Sequence, residues 1–270
     1  MRDHTDVVPM TAVSTEIRLR LPPPALRSEL IEGAWNHGYR RETGAADGWL
    51  YFASDIDVPG EIGLAVAAGG AAWFLAVEHP GVAAELTAAR AAPAPKGKRG
   101  AFAFADSGSL RRALHRSYEL ACSLPSAPLS EFEAELAELG ATEAATWARR
   151  RIGQDVFRRA LLRYWQGCCP LTGITELALL RASHIIPWAE CSTDAERLDV
   201  YNGLLLSAHW DAAFDAGLVS FNDEGAVLWS ARLGAAERAV LTPKLARMLV
   251  LTDQHRLRLA WHRDRYGLNS

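Results

Sequence analysis

Residues 181–221 read RASHIIPWAECSTDAERLDVYNGLLLSAHWDAAFDAGLVSF, and the fold of the second half of the chain is decided there. A short strand-like run leads to His184. Asn202 heads a second, apolar run, and a short helical pattern follows. The helix carries Asp211 and Asp215, whose spacing of four puts both side chains on one face, one turn apart. Two hard oxygen donors on a helix, opposite a histidine on a neighbouring strand, can hold a divalent cation beside a base. Cutting a phosphodiester requires that apparatus, because the uncatalysed reaction is extremely slow and needs a nucleophile, charge neutralisation and leaving-group stabilisation.

Outward from this stretch, GCCPLTG (residues 167–173) is turn-prone and opens the hairpin that ends at His184. After the acidic helix, GLVSFNDEGAVLWS is predicted to be a hairpin, since NDEG separates two alternating apolar runs. The tail from Glu237 to Gly267 is predicted to be mostly helical. Upstream, residues 141–165 form a long helical pattern carrying Arg149, Arg150, Arg151, Arg158, Arg159 and Arg163. Arg151, Arg158 and Arg159 fall near one stripe and are either a solvated face or phosphate clamps. Arg181 and Arg197 flank the histidine segment and could contact phosphate or make surface ion pairs.

The amino-terminal part has a different period. Prolines before a helically spaced apolar run predict a helix over Pro24–Trp35. GWLYFAS, EIGLAVA and AAWFLAV read as three strands, GVAAELTAAR as a helix, and DSGSLRRALHRSYELAC as a capped helix. APAPKGKRG reads as an exposed connection, and its Lys96, Lys98 and Arg99, with Arg111, Arg112 and Arg116, make the obvious basic cluster of this half. SLPSAPLS reads as an interdomain linker. The expected organisation is an α+β domain over residues 1–122, a linker and short helix over 123–140, and a second domain over 141–270.

The chain has 270 residues, half of them hydrophobic, enough for one large or two ordinary domains. Its net charge of −3 excludes non-specific coating of nucleic acid, so such contact must come from local patches. No apolar run approaches the roughly 20 residues that span a bilayer, so no membrane partner is expected. MRDHTDVVPM lacks a signal pattern, which predicts a cytoplasmic protein. Cys122, Cys168, Cys169 and Cys191 form no CxxC pair, which argues against a zinc ribbon and fits buried thiols in a reducing compartment.

The boxes SHIIPW, RLD, NGLLLS and FDAGLVSF, in that order, resemble the branch of the HNH nuclease family with SHIxPW, NGLLLS and FDxGLxSF motifs. RIGQDVFRRALLRYWQGCCPLTGI and LAWHRDRYG resemble its entry and closing segments. The resemblance covers roughly the last half of the chain. It implies a ββα-metal core with flanking helices, in which His184 is the general base and Asn202 the middle letter. Asp211 then stands where the last histidine usually sits, and Asp211 and Asp215 are the expected metal ligands. Ser183 occupies a position where many relatives place a metal-binding Asp or His, and contributes through water or not at all. Oxygen ligation favours Mg²⁺ or Mn²⁺ over Zn²⁺. Asp215 has a second reading, as a brace for the turn after the helix. His209, two residues before Asp211, faces elsewhere and either touches phosphate or lies on the surface.

The function implied is a metal-dependent endonuclease of double-stranded DNA, of restriction or defence type, with a homodimer and targeting by the amino-terminal domain as further expectations. Two alternatives stand beside it. One is a nucleic-acid-binding regulator with a decayed core; the other is a nuclease delivered by a protein-interaction domain.

Overall fold

A computed structural model describes residues 19–55, 58–86, 90–137, 143–242 and 248–268. Helix α1 (Pro24–Asn36) starts on Pro23 and Pro24, whose fixed φ suits a first turn and whose missing N–H groups would be unpaired there anyway. Strand β1 (Arg41–Ala46) turns into β2 (Trp49–Ala53) through Asp47 and Gly48, at φ 52° and 84°. That Asp-Gly pair supplies the two left-handed residues a tight hairpin needs. Strands β3 (Ile62–Val66) and β4 (Trp73–Val77) continue the meander. Helix α2 (Pro80–Glu85) and strand β5 (Arg90–Ala91) follow, and β6 (Gly100–Phe104) pairs with β4. The result is a six-stranded antiparallel sheet in the order β1-β2-β3-β4-β6-β5.

Helix α3 (Ser107–Ser123), capped by Asp106, packs with α1 and α2 against this sheet. Only Leu124 and Pro125 separate it from α4 (Ser126–Leu136). The expected linker SLPSAPLS is therefore a two-residue turn and the start of a packed helix, with Leu124, Pro128 and Phe132 buried. Proline is tolerated in a first turn, which is why a Pro- and Ser-rich run can be helical. Lys98 also departs from its expected place in an exposed loop. Its side chain is buried, bonded to Glu61 at 2.5 Å and set 5.1 Å from the Tyr51 ring.

Helix α5 (Glu143–Tyr164) packs on α3 and α4 and, from its other side, on strands β7 (Leu180–His184) and β8 (Gly203–Ser207). One hydrophobic core thus runs from Leu30 through Phe132 and Phe157 to Leu259. Polar contacts cross the same boundary, since Glu85 on α2 accepts from the hydroxyls of Tyr164 at 3.1 Å and Tyr201 at 3.2 Å. Between the two strands lies the short helix α6 (Asp194–Leu198), and helix α7 (Ala208–Asp215) follows β8 directly.

The second hairpin is β9 (Val219–Phe221) with β10 (Val227–Trp229), as the NDEG turn predicts. The tail forms α8 (Ala235–Leu241) and α9 (Asp253–Tyr266), the latter with a Thr252 capping box and a left-handed Gly267 at its end. Among the described residues no helix is long and apolar enough to cross a membrane. The architecture is mixed α+β, with the hairpin-and-helix unit in the carboxy-terminal half, as expected.

Candidate active site

β7 and β8 pair antiparallel, with Ser183 opposite Leu204 and His184 opposite Gly203. Successive side chains on a strand leave on opposite faces. Ser183 accordingly turns toward α7, where its hydroxyl donates to Asp211 Oδ1 at 2.7 Å. His184 turns the other way and stacks on Phe157 of α5, with ring centroids 3.8 Å apart. That stacking explains why residue 203 is glycine: a Cβ there would lie 2.6 Å from Phe157 Cζ. Trp188 meets the edge of the imidazole, and Gly153 makes room for it, because a Cβ at 153 would strike Trp188 at 2.3 Å.

His184 Nε2 lies 2.9 Å from the carbonyl oxygen of Arg197. A carbonyl can only accept, so Nε2 carries the proton and Nδ1 keeps its lone pair. Nδ1 has no hydrogen-bond partner among the described residues, and it is not among the atoms sealed from solvent. Burial pushes the imidazole down to about 4, opposed by the bond to Arg197. The ring is therefore neutral at neutral pH.

The carbonyl that holds the ring is itself held. Thr193 and Glu196 form a capping box on α6, and the Arg197 guanidinium donates to Trp188 O at 3.2 Å, to Asp194 at 3.2 Å and to Cys191 O. Asn202, fully buried, closes the same loop. Its Oδ1 accepts from Ile186 N at 2.8 Å and its Nδ2 donates to Ile186 O at 3.1 Å.

On the α7 side, Asp211 and Asp215 sit with the Ser183 hydroxyl. The Asp215 carboxyl is raised to about 6, first by burial and then by the Asp211 carboxylate, and its contact with Ser183 only partly offsets this. The turn after α7 is closed by backbone bonds from Gly217 N–H to Phe214 O at 2.9 Å and from Leu218 N–H to Ala213 O at 2.8 Å, and the Tyr266 hydroxyl donates to Asp215 O at 3.0 Å. Among the described residues no group of three or more His, Cys, Asp or Glu side chains is placed to hold a metal. The acidic pair is thus accompanied by a hydroxyl rather than by the imidazole, which approaches the same strand end from the α5 side.

The basic residues divide. Arg158 donates to the carbonyls of Leu177 at 2.8 Å and Leu180 at 2.9 Å, fixing the entry to β7. Arg159 is paired with Glu131 and Glu135. Neither is free as a phosphate clamp. Arg181 donates to Ala178 O and Leu180 O but remains exposed. Arg151 is exposed with no ion-pair partner among the described residues, and His209 is exposed on the first turn of α7. Phe157, Gly203 and the Arg197 carbonyl were not legible as site residues, because nothing in their spacing reports a backbone oxygen or a ring stacked across two elements.

Residues 169–222 match the family model for HNH endonucleases, a span that includes β7, β8 and α7. No curated protein matches the chain. That segment is similar to the core of HNH endonucleases, which suggests nuclease activity.

Proposed function

We propose, from the HNH core over residues 169–222, that the protein is a divalent-metal-dependent endonuclease that hydrolyses phosphodiester bonds of double-stranded DNA. The observation that carries this reading is the oriented imidazole of His184, protonated on Nε2, neutral and open at Nδ1, on the strand residue next to Ser183, whose hydroxyl bonds Asp211 of α7. In it, His184 Nδ1 takes a proton from the attacking water, and the Arg197 carbonyl stabilises the imidazolium that forms. Asn202 keeps the loop from 186 to 197 in place around that carbonyl.

Asp211 and Asp215 are the ligands in this reading, and the residues present fit a hard cation. Burial, and after it the Asp211 carboxylate, raises Asp215 to about 6, so positive charge between the two would be favourable there. A pair of carboxylates with open positions suits Mg²⁺ or Mn²⁺, which keep several waters, better than Zn²⁺. Bound there, the ion supplies charge neutralisation at the phosphate and leaving oxygen. Ser183 orients Asp211 through its hydrogen bond. A defence role against foreign DNA follows the restriction-type relatives that the motifs resemble, with the amino-terminal sheet as the targeting unit and pairing of two copies for double-strand breaks.

The test is cleavage of duplex DNA with Mg²⁺ and Mn²⁺, with EDTA as control. Metal-dependent nicking that His184→Ala abolishes without loss of fold supports the proposal. Binding without cleavage in any divalent metal contradicts it and favours a regulator with an inactive core.

A further inference from the structure

The first turns of α5 carry a surface that the catalytic unit does not use. Trp147 is 76% exposed, the most exposed tryptophan among the described residues. It shares a groove of about 310 Å³ with Arg150 and Trp188, whose walls include Arg149, Asp194 and Arg197. On its other side lies a shallower face formed with Arg150, Arg151, Gln154 and Asp155. Arg149 and Arg197 both pair with Asp194, and Arg149 also lies 5.2 Å over the Phe132 ring. Arg150 and Arg151 have no ion-pair partner among the described residues. Trp188, on the far wall, is the ring that meets the edge of His184.

An exposed indole beside two guanidiniums that make no ion pair among the described residues suits a flat, uncharged ring attached to an anionic backbone. We propose that Trp147, Arg150 and Arg151 grip an unpaired nucleotide of a nucleic-acid strand, with the base stacked on Trp147 and its flanking phosphates on the arginines. Trp188 lines the groove and its ring lies 5.7 Å from that of His184, so a strand gripped here would pass one side chain away from the proposed base. The inference rests on the nuclease reading for its purpose and on exposure and charge for its place.

The experiment measures affinity of the intact protein, in EDTA, for a single-stranded oligonucleotide carrying 2-aminopurine. Trp147→Ala is expected to weaken binding about fivefold or more and to abolish quenching of 2-aminopurine fluorescence. Trp35→Ala, at another exposed tryptophan, is expected to leave both unchanged. Arg150→Ala and Arg151→Ala should each reduce the slope of log affinity against log salt by about 0.7. Affinity and quenching indifferent to Trp147→Ala overturn this surface. If the wild-type chain cleaves DNA with Mg²⁺ in that case, the nuclease reading stands and the grip alone falls. If it binds no nucleic acid at all, both fall.

Discussion

Asn202→Ala removes a side chain that touches neither substrate nor ligand in this account, so its effect tests the architecture of the loop. Two hydrogen bonds to Ile186 disappear, at 2.8 and 3.1 Å, together with weaker contacts at 3.4 Å to Cys191 Sγ and Glu196 O. Each good bond is worth about 1 kcal/mol net, and leaving the Ile186 N–H without its partner adds about 1–3 kcal/mol. The expected loss is therefore on the order of 3–5 kcal/mol. For a chain of this size that corresponds to a fall in Tm of roughly 6–20 °C. The loop also carries Trp188 and the Arg197 carbonyl, so kcat should fall further than the residual fold would suggest, with little change in metal affinity. Thermal unfolding followed by circular dichroism, and cleavage at saturating Mg²⁺, read the two effects. A variant that melts with wild-type and keeps wild-type kcat refutes the brace.

Three further outcomes follow from packing and charge. Gly203→Ala places a Cβ against Phe157 and Leu161 at 2.6–2.8 Å, and overpacking of this kind costs about 1–3 kcal/mol, visible as a lowered Tm. The Asp215 carboxyl is raised above its unfolded value of 3.8, so its contribution to stability is lost as pH rises toward about 6. Asp211→Asn keeps the acceptor for Ser183 and removes one cause of that loss. In EDTA it should therefore raise Tm more at pH 7.5 than at pH 4.5; an equal gain at both argues against the pair. The histidines have the opposite sign. His184, His255 and His262 are held down to about 4, 3 and 4 by burial, so stability is present above the ordinary histidine value near 6.5 and is lost as pH falls toward 4. Unfolding should become easier across that window, most simply read as a falling denaturant midpoint.

The ββα unit was legible because each piece carries its own local signal: a strand run ending on His184, Asn-Gly opening an apolar run, and two carboxylates at helical spacing. The helix at Pro24 was legible from its starting prolines and the one at Ser107 from its Asp106 cap, signals that act within four residues. β1 was not, since RETGAA is exposed along its whole length and has no alternating face to show. Arg158 illustrates a different limit. Its place on a helical stripe is readable, but its partners are carbonyls about twenty residues away, set by how the hairpin docks on α5. Ser183 was read as a weak ligand, and in the structure its hydroxyl donates to Asp211 Oδ1. The single core that joins the two halves, with Glu85 beneath Tyr164 and Tyr201, depends on contacts 79 and 116 residues apart that no window of sequence displays.

The proposed base is the open nitrogen of His184, and single-turnover nicking of duplex DNA at saturating Mg²⁺ by His184→Ala, alongside Asp211→Ala, tests it. His184→Ala is expected to lose at least about a hundredfold in rate, with no recovery on adding metal. Asp211→Ala is expected to show a weaker loss that added metal restores. Nicking at the wild-type rate by His184→Ala, in a variant that remains folded, contradicts that assignment of the base.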